Sequence, residues 1–149
     1  MNRAIIVDLD GTLCNSQHRM HFIESKPKNW DAFYESASKD QPNEWAKSIV
    51  DIYSRHTDFC ILFVTGRPYR YYSPTMDWIL RYFPQFCTAN LFMRKNGDFR
   101  VDTIVKKEIF EKQIKEHFDV LFCLEDRLRV AEMWRQLGLV CLLSSGGDF

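Results

Sequence analysis

The sequence predicts an α/β domain built on a mainly parallel sheet, and three observations carry that prediction. Its apolar runs are short and continuous, segments with helical spacing separate them, and each of the first three runs ends in a polar or acidic cluster. The runs are Ala4-Ile5-Ile6-Val7, Phe59 to Val64, Val120 to Leu124 and Leu139 to Leu143. A strand covered on both faces needs apolar residues at every position rather than every second one, so these runs read as buried parallel strands.

Helix-like stretches lie between them, at Pro42 to about Arg55, Thr75 to Tyr82, Thr103 to about His117, and Asp126 to Leu137. Asp102-Thr103 stand as candidate caps of the third, where Val105, Ile109 and Ile114 fall near helical spacing, and Gly138 stops the fourth. Strands alternating with helices imply an open sheet with right-handed crossovers. Residues 14 to 41 are the least regular stretch, and the turn residues Asn96-Gly97-Asp98 within Leu91 to Val101 predict a short hairpin.

Composition bounds the function classes. A chain of 149 residues is read as a single domain, 1–149, with 46% hydrophobic and 15% aromatic residues. No apolar run approaches the ~18 residues of a membrane span, and Met1-Asn2-Arg3 enters the first strand without a secretory leader. A soluble, cytoplasmic protein with no membrane partner is expected. Cys14, Cys60, Cys87, Cys123 and Cys141 are odd in number and show no CxxC spacing, which suits unpaired, buried thiols in a reducing compartment. The 20 basic and 20 acidic side chains balance, but residues 67 to 107 hold 8 basic and 3 acidic ones. That local excess is either an anion-attracting surface, with Arg67, Arg70, Arg94, Lys95 and Arg100 near the expected site, or ordinary solvated charge.

In open α/β sheets ligands bind beyond the carboxyl ends of the strands, so the residues following each run should converge. They are Asp8-Leu9-Asp10-Gly11-Thr12, Thr65-Gly66-Arg67 and Glu125-Asp126, with Lys106 near a helix start. This set suits phosphoryl transfer. A carboxylate can attack phosphorus once cations neutralise the repulsion between the two anions, and Mg²⁺ takes oxygen ligands of the kind Asp8, Glu125 and Asp126 offer. Thr65 and Lys106 would stabilise phosphoryl oxygens and the nucleophile, while a carboxyl two residues on, Asp10, could serve the leaving group and then the attacking water.

The motif Asp8-Leu9-Asp10-Gly11-Thr12, followed by Thr65, Lys106 and Glu125-Asp126 in that order, resembles the haloacid dehalogenase superfamily of phosphatases. The resemblance implies a Rossmannoid three-layer α/β/α fold, Asp8 as nucleophile, and Asp10 as acid/base whose backbone carbonyl also meets Mg²⁺. Arg19, Thr65-Gly66-Arg67, Leu91 to Met93 with Arg94, Gly97 to Arg100, Asp102, Lys106, Glu125 to Arg127, Met133 to Arg135 and Gly147-Asp148-Phe149 are similar to the 3′-phosphatase domain of phage polynucleotide kinase/phosphatases. That similarity implies a nucleic acid 3′-end as substrate, contacts from Arg19 and Arg67 to its phosphate, and a role for Asp102 in orienting Lys106. The acidic pair here is Glu-Asp rather than Asp-Asp, which shifts one carboxylate by a methylene. No G-x-x-x-x-G-K-[ST] loop occurs, so a kinase or ligase partner would be a separate protein.

Other readings compete at single positions. Lys107 rivals Lys106, with Asp102 four residues earlier favouring Lys106. Glu125-Asp126-Arg127 could be a helix-start charge cluster, Arg19 could lie on the surface, and Tyr69, Tyr71 and Tyr72 could stack on bases or simply pack. His18 and His21 receive no role. Two other functions are a small-molecule nucleotidase of the same superfamily and a phospho-accepting receiver module; in the latter the acidic pair precedes the phosphorylated Asp, the reverse of the order here. The roughly 40 residues between Thr65 and Lys106 are few for a large covering domain, which predicts a capless or minimally capped site.

Overall fold

The computed structural model describes residues 1–144. Five strands form one sheet: β1 (Asn2–Val7), β4 (Phe59–Pro68), β5 (Asn90–Arg94), β6 (Phe118–Glu125) and β7 (Cys141–Leu143). Their order is β5-β4-β1-β6-β7, and every pairing is parallel. The chain builds outward from β1 to β4 and β5, then returns to the other side of β1 for β6 and β7. The direction therefore reverses at β1, where a crevice opens beyond the strand ends. Register places Val7 beside both Phe63 and Leu124, so the residues that follow them emerge on one edge.

Alternation along β1 divides the core. Ala4 and Ile6 pack with Val105, Ile109, Val130 and Trp134 from α5 (Asp102–Ile109) and α6 (Leu128–Gln136). Ile5 and Val7 pack with Ala46, Val50, Trp78 and Ile79 from α3 (Glu44–Ser54) and α4 (Tyr72–Tyr82). Three layers follow from covering both faces, and each fully buried aliphatic side chain contributes about 1.5–3 kcal/mol.

The irregular stretch is a small insertion. Two-residue strands β2 (Cys14–Asn15) and β3 (Gln41–Pro42) pair antiparallel at its base, and α1 (His21–Glu24) and α2 (Trp30–Glu35) lie between them. Asn43 closes the base, its side chain donating to the Thr12 carbonyl at 2.8 Å, and the Trp78 indole donates to the Asp40 carbonyl at 2.9 Å.

Three local expectations are corrected. The predicted hairpin is absent: β5 is an edge strand parallel to β4, and after the turn at Gly97 the chain runs directly into α5. The Arg94 guanidinium binds the carbonyls of Gly66, Asp98 and Arg100, satisfying groups a second strand would have used. Helix α5 starts at Asp102 with Val101 in the cap position and no side-chain cap, and it continues through a π-helical turn, Phe110–Ile114. The last strand is shorter than its apolar run, spanning Cys141–Leu143.

Candidate active site

Asp8 leaves β1 into a tight loop in which Leu13 N–H donates to the Asp8 carbonyl and Cys14 N–H to the Leu9 carbonyl. Gly11 makes that loop possible. It adopts φ +85°, and a Cβ there would lie 2.1 Å from the Asp126 carboxylate, so any side chain would displace a site residue. Gly66 is constrained by proximity too, since a Cβ would fall 2.5 Å from the Asp102 carboxylate.

Around Asp8 the structure gathers Lys106, Thr12, Glu125 and Asp126, all buried. Lys106 Nζ lies 2.7 Å from Asp8 Oδ1 and 3.1 Å from Glu125 Oε2. Lys107, one residue on, is exposed, so the site lysine is Lys106. The single Thr12 hydroxyl proton is shared between Asp8 Oδ2 at 2.9 Å and Asp126 Oδ1 at 3.0 Å. Burial raises the Asp8 carboxyl most strongly of any one cause, but the Lys106 ammonium and the hydrogen bonds from Asp126 and Lys106 together outweigh it and hold Asp8 below the ordinary carboxylate range. Glu125 is pushed well above that range by burial and the Asp8 charge, and the same causes bring Asp126 up to about 8. Ligand oxygens of Asp8, Glu125 and Asp126 all lie within 4.8 Å of one another. One ammonium cannot neutralise three crowded carboxylates. A hard cation fits this all-oxygen donor set and would let the remaining two ionise.

Asp10 faces a different environment. Its carboxylate accepts from Arg67 Nε at 3.1 Å and Nη2 at 2.7 Å, and from Arg19 Nη2. Burial opposes its charge, yet the two guanidiniums dominate and hold it far below its usual value. Both arginines are buried, at 0% exposure for Arg19 and 3% for Arg67, which settles that Arg19 is not a surface residue. The carboxylate trio that could hold a metal does not include Asp10, leaving only its backbone carbonyl for the metal role the resemblance implied.

Thr65 lies at the carboxyl end of β4, buried, its hydroxyl accepting from Arg67 N–H at 3.2 Å. Asp102 departs from expectation. Rather than hydrogen-bonding Lys106, it holds the guanidiniums of Arg94 and Arg127, and it acts on Lys106 only through space. In the first turn of α5 its carboxylate also faces the favourable end of the helix dipole, which a cap would not require. Gly147-Asp148-Phe149 lies outside the described residues.

Several site residues escaped the sequence reading. Asp40 is fully buried and binds Arg19 through both oxygens, at 2.9 and 2.6 Å, and His18 at 2.6 Å. Thr75 accepts from Arg67 Nη1 at 3.0 Å. Trp30 and Tyr34 line the cleft above Asp8, as does Arg127, which the sequence reading named without giving it a role of its own. Asp40 sits in the irregular stretch, 21 positions from Arg19, so no local spacing signals it. The local cationic excess is largely spent on ion pairs: Arg67 on Asp10, Arg70 on Asp31, Arg94 on Asp102, and Arg100 on Asp98 and Glu108.

A carboxylate held by a lysine at the switch point of a parallel sheet, beside an acidic pair, defines a HAD-type phosphatase. The fold agrees: a class C acid phosphatase from Bacillus anthracis superposes with TM-score 0.70 at 12% identity, over 100% of this chain and 69% of that one. The particular family follows from residues 2–149, which match the model of the polynucleotide kinase PNKP phosphatase domain, and the chain belongs to that family. A chain of the Pnkp1/Rnl/Hen1 RNA repair complex is similar at 31% identity and TM-score 0.83, covered over 100% of this chain and 44% of its own length. A protein of Autographa californica nuclear polyhedrosis virus, named as a candidate bifunctional polynucleotide kinase/RNA ligase, is 26% identical over 147 residues. The alignment takes in 99% of this chain and 20% of the viral protein, so the chain spans less than half the length of these relatives. Membership in a phosphatase family overturns the receiver-module alternative. Among the described residues no helix is long and apolar enough to cross a membrane.

Proposed function

We propose that this chain is a Mg²⁺-dependent phosphomonoesterase that removes 3′-phosphates from nucleic acid ends through an aspartyl-phosphate on Asp8. The observation that carries the reading is the division of the cleft into an acidic half around Asp8 and a guanidinium half around Asp10. Asp8, Glu125 and Asp126, with the Asp10 carbonyl, would hold Mg²⁺. When bound, the ion supplies charge neutralisation and orientation of the phosphate against the nucleophile.

The chain's own residues do the rest. Asp8 is kept ionised by Lys106 and oriented by Thr12, so its carboxylate attacks phosphorus as the bond to the 3′-oxygen breaks. Thr65 and Lys106 stabilise the equatorial oxygens. Arg19 and Arg67 turn from Asp10 to the incoming phosphate, and Asp10, relieved of two cations, regains enough basicity to carry a proton. It delivers that proton to the leaving alkoxide, then takes one from the water that attacks the aspartyl-phosphate, releasing inorganic phosphate and restoring Asp8.

Similarity to a chain of an RNA repair complex and to a viral protein named for kinase and ligase activities supports a nucleic acid 3′-end and a kinase or ligase partner. A cytoplasmic setting is supported by the five cysteines, all unpaired. Ion pairing of Arg70, Arg94 and Arg100 favours a second reading, a small-molecule nucleotidase, because it leaves few cations for a strand. Phosphate release from 3′-phosphorylated oligonucleotides, 5′-phosphorylated oligonucleotides and mononucleotides, with Mg²⁺ and with chelator, tests the proposal. The expected result is Mg²⁺-dependent preference for the 3′-phosphorylated strand. Its efficiency should fall with salt by roughly −0.7 in logarithmic slope per phosphate contact. Equal efficiencies and equal slopes for strand and mononucleotide would favour the nucleotidase, and turnover that survives thorough chelation would refute the metal.

A further inference from the structure

Helix α2 contributes Trp30, Phe33 and Tyr34 to the lining of the cleft, aromatic side chains that the phosphoryl chemistry does not use. Phe33 points inward, its ring 4.2 Å beneath the Arg19 guanidinium, which ties the helix to the guanidinium half of the site. Trp30 and Tyr34, one turn apart, have ring centres 5.8 Å apart and planes only 23° from parallel, and the Phe33 ring lies edge-on to both. Both line the cleft that also contains Asp8, Asp10 and Lys106.

Their surroundings differ from those of packing aromatics. Trp78 and Trp134 are 2% and 0% exposed, whereas Trp30 keeps 37% of its surface in water at the edge of a polar cleft. Trp45 is comparably exposed but does not line the cleft. The Tyr34 hydroxyl has no hydrogen-bond partner among the described residues. Burial, then the charges of Asp10 and Asp102, push its phenol upward, so it remains a protonated donor near the acid/base carboxylate.

The wall is also held in place. Asn29 caps α2 by accepting from Ala32 N–H at 3.0 Å, the Tyr71 hydroxyl donates to Asp31 at 3.1 Å, Arg70 pairs with the same carboxylate, and the Tyr71 ring lies 5.4 Å from that of Tyr34. Lys28 Nζ stands over the Trp30 ring, 5.5 Å from its centre, where a flexible side chain can give way to a base. A rigid aromatic face flanked by a cation and opening into a phosphate site is suited to a base attached to that phosphate, because every base offers a π-face and one sugar separates the two.

Building on the 3′-phosphatase reading, we propose that Trp30 and Tyr34 form a subsite for the nucleoside that bears the scissile phosphate. Trp30 stacks on its base without selecting among bases, and the Tyr34 hydroxyl donates to its sugar. The substrate is thereby a 3′-nucleotide end rather than any phosphomonoester.

The test compares kcat/KM for an oligonucleotide ending in a nucleoside 3′-phosphate with that for the same strand ending in an abasic 3′-phosphate. The unsubstituted protein should favour the base-bearing end by about 5- to 150-fold, mostly through KM. Trp30→Ala should bring the ratio to within about 2-fold of one, Trp30→Phe should retain most of it, and Tyr34→Phe should leave the ratio unchanged while lowering kcat/KM for both ends by about 2- to 10-fold, because the abasic end keeps its sugar. A ratio near one in the unsubstituted protein, or a ratio unchanged by Trp30→Ala, overturns the subsite while leaving 3′-phosphatase activity standing. No phosphate release from either end overturns the parent reading and this inference with it.

Discussion

Asp8 and Asp10 are separated by one residue, yet the two carboxylates occupy opposite electrostatic worlds. Asp8 shares one ammonium, that of Lys106, with Glu125 and lies against Asp126 as well, so its half of the cleft is short of positive charge. Asp10 meets two guanidiniums, of which Arg19 is shared with the buried Asp40 behind it, so its half can take an anion by exchanging partners. The difference teaches how one short loop prepares a site for both a cation and a phosphate. A bound metal would relieve the acidic half, and the basic half would surrender one anion for another at little electrostatic cost.

Removing the proposed nucleophile breaks the comparison most severely. Asp8→Asn should lower kcat by on the order of 10⁴-fold or more and abolish any trapped aspartyl-phosphate, because no neighbouring carboxylate replaces an attacking atom. Quenched-flow trapping and phosphate release check it, and near-normal turnover would dismiss Asp8 as the nucleophile.

Asp10→Asn attacks the other half. Turnover of alkyl phosphates should fall by about 10²- to 10⁴-fold, with partial rescue on activated aryl phosphates that need little help in leaving. Since Asn cannot neutralise Arg19 and Arg67, inorganic phosphate should inhibit this variant more tightly than the parent. Equal losses on both leaving groups would indicate a structural rather than a proton-transfer role.

Asp40→Asn should have a smaller effect, about 10-fold in kcat/KM. Arg19 loses its buried counter-charge and one of its two hydrogen bonds to residue 40, since an amide NH₂ cannot accept, but keeps Asp10, so phosphate binding should suffer more than the chemical step. A loss confined to kcat would contradict that placement.

The smallest effect is thermodynamic. Metal-free, the folded protein keeps protons on Glu125 and Asp126 that the unfolded chain has released, with Asp126 titrating at about 8. Between the ordinary carboxylate range and that value the folded state binds more protons, so stability should fall as pH rises. Melting temperatures in chelator should drop by a few degrees from pH 6 to 8.5, and added Mg²⁺ should raise them more at the higher pH. The opposite pH trend would mean that the two carboxyls are already ionised without metal.

What could be read in advance was local. The continuous runs before Asp8, Thr65 and Glu125 mark strands, and polar residues at their ends lie at the sheet edge because buried strands have few other places for them. Gly138 ends α6 near the predicted position for a similarly local reason. The turn at Gly97 was legible too, but its consequence was not. Whether a hairpin follows depends on what else can bind the backbone, and here the Arg94 side chain does.

Partner choice among charges was decided only by tertiary structure. Nothing near Arg19 names Asp40, nothing near Asp102 names Arg127, and the cationic segment from 67 to 107 showed no sign that most of its arginines would be occupied. The sequence by itself determined four of the five parallel strands, the acidic residues at their ends and a lysine pair near them, because each rests on the periodicity or punctuation of a few adjacent residues, while the structure chose Lys106 over Lys107. Tertiary structure alone placed the irregular stretch over the cleft, so that Asp40 supports Arg19 and Trp30 and Tyr34 face the nucleophile. Those juxtapositions join residues tens of positions apart, and a sequence carries no local signal for a contact that exists only after the chain has closed on itself.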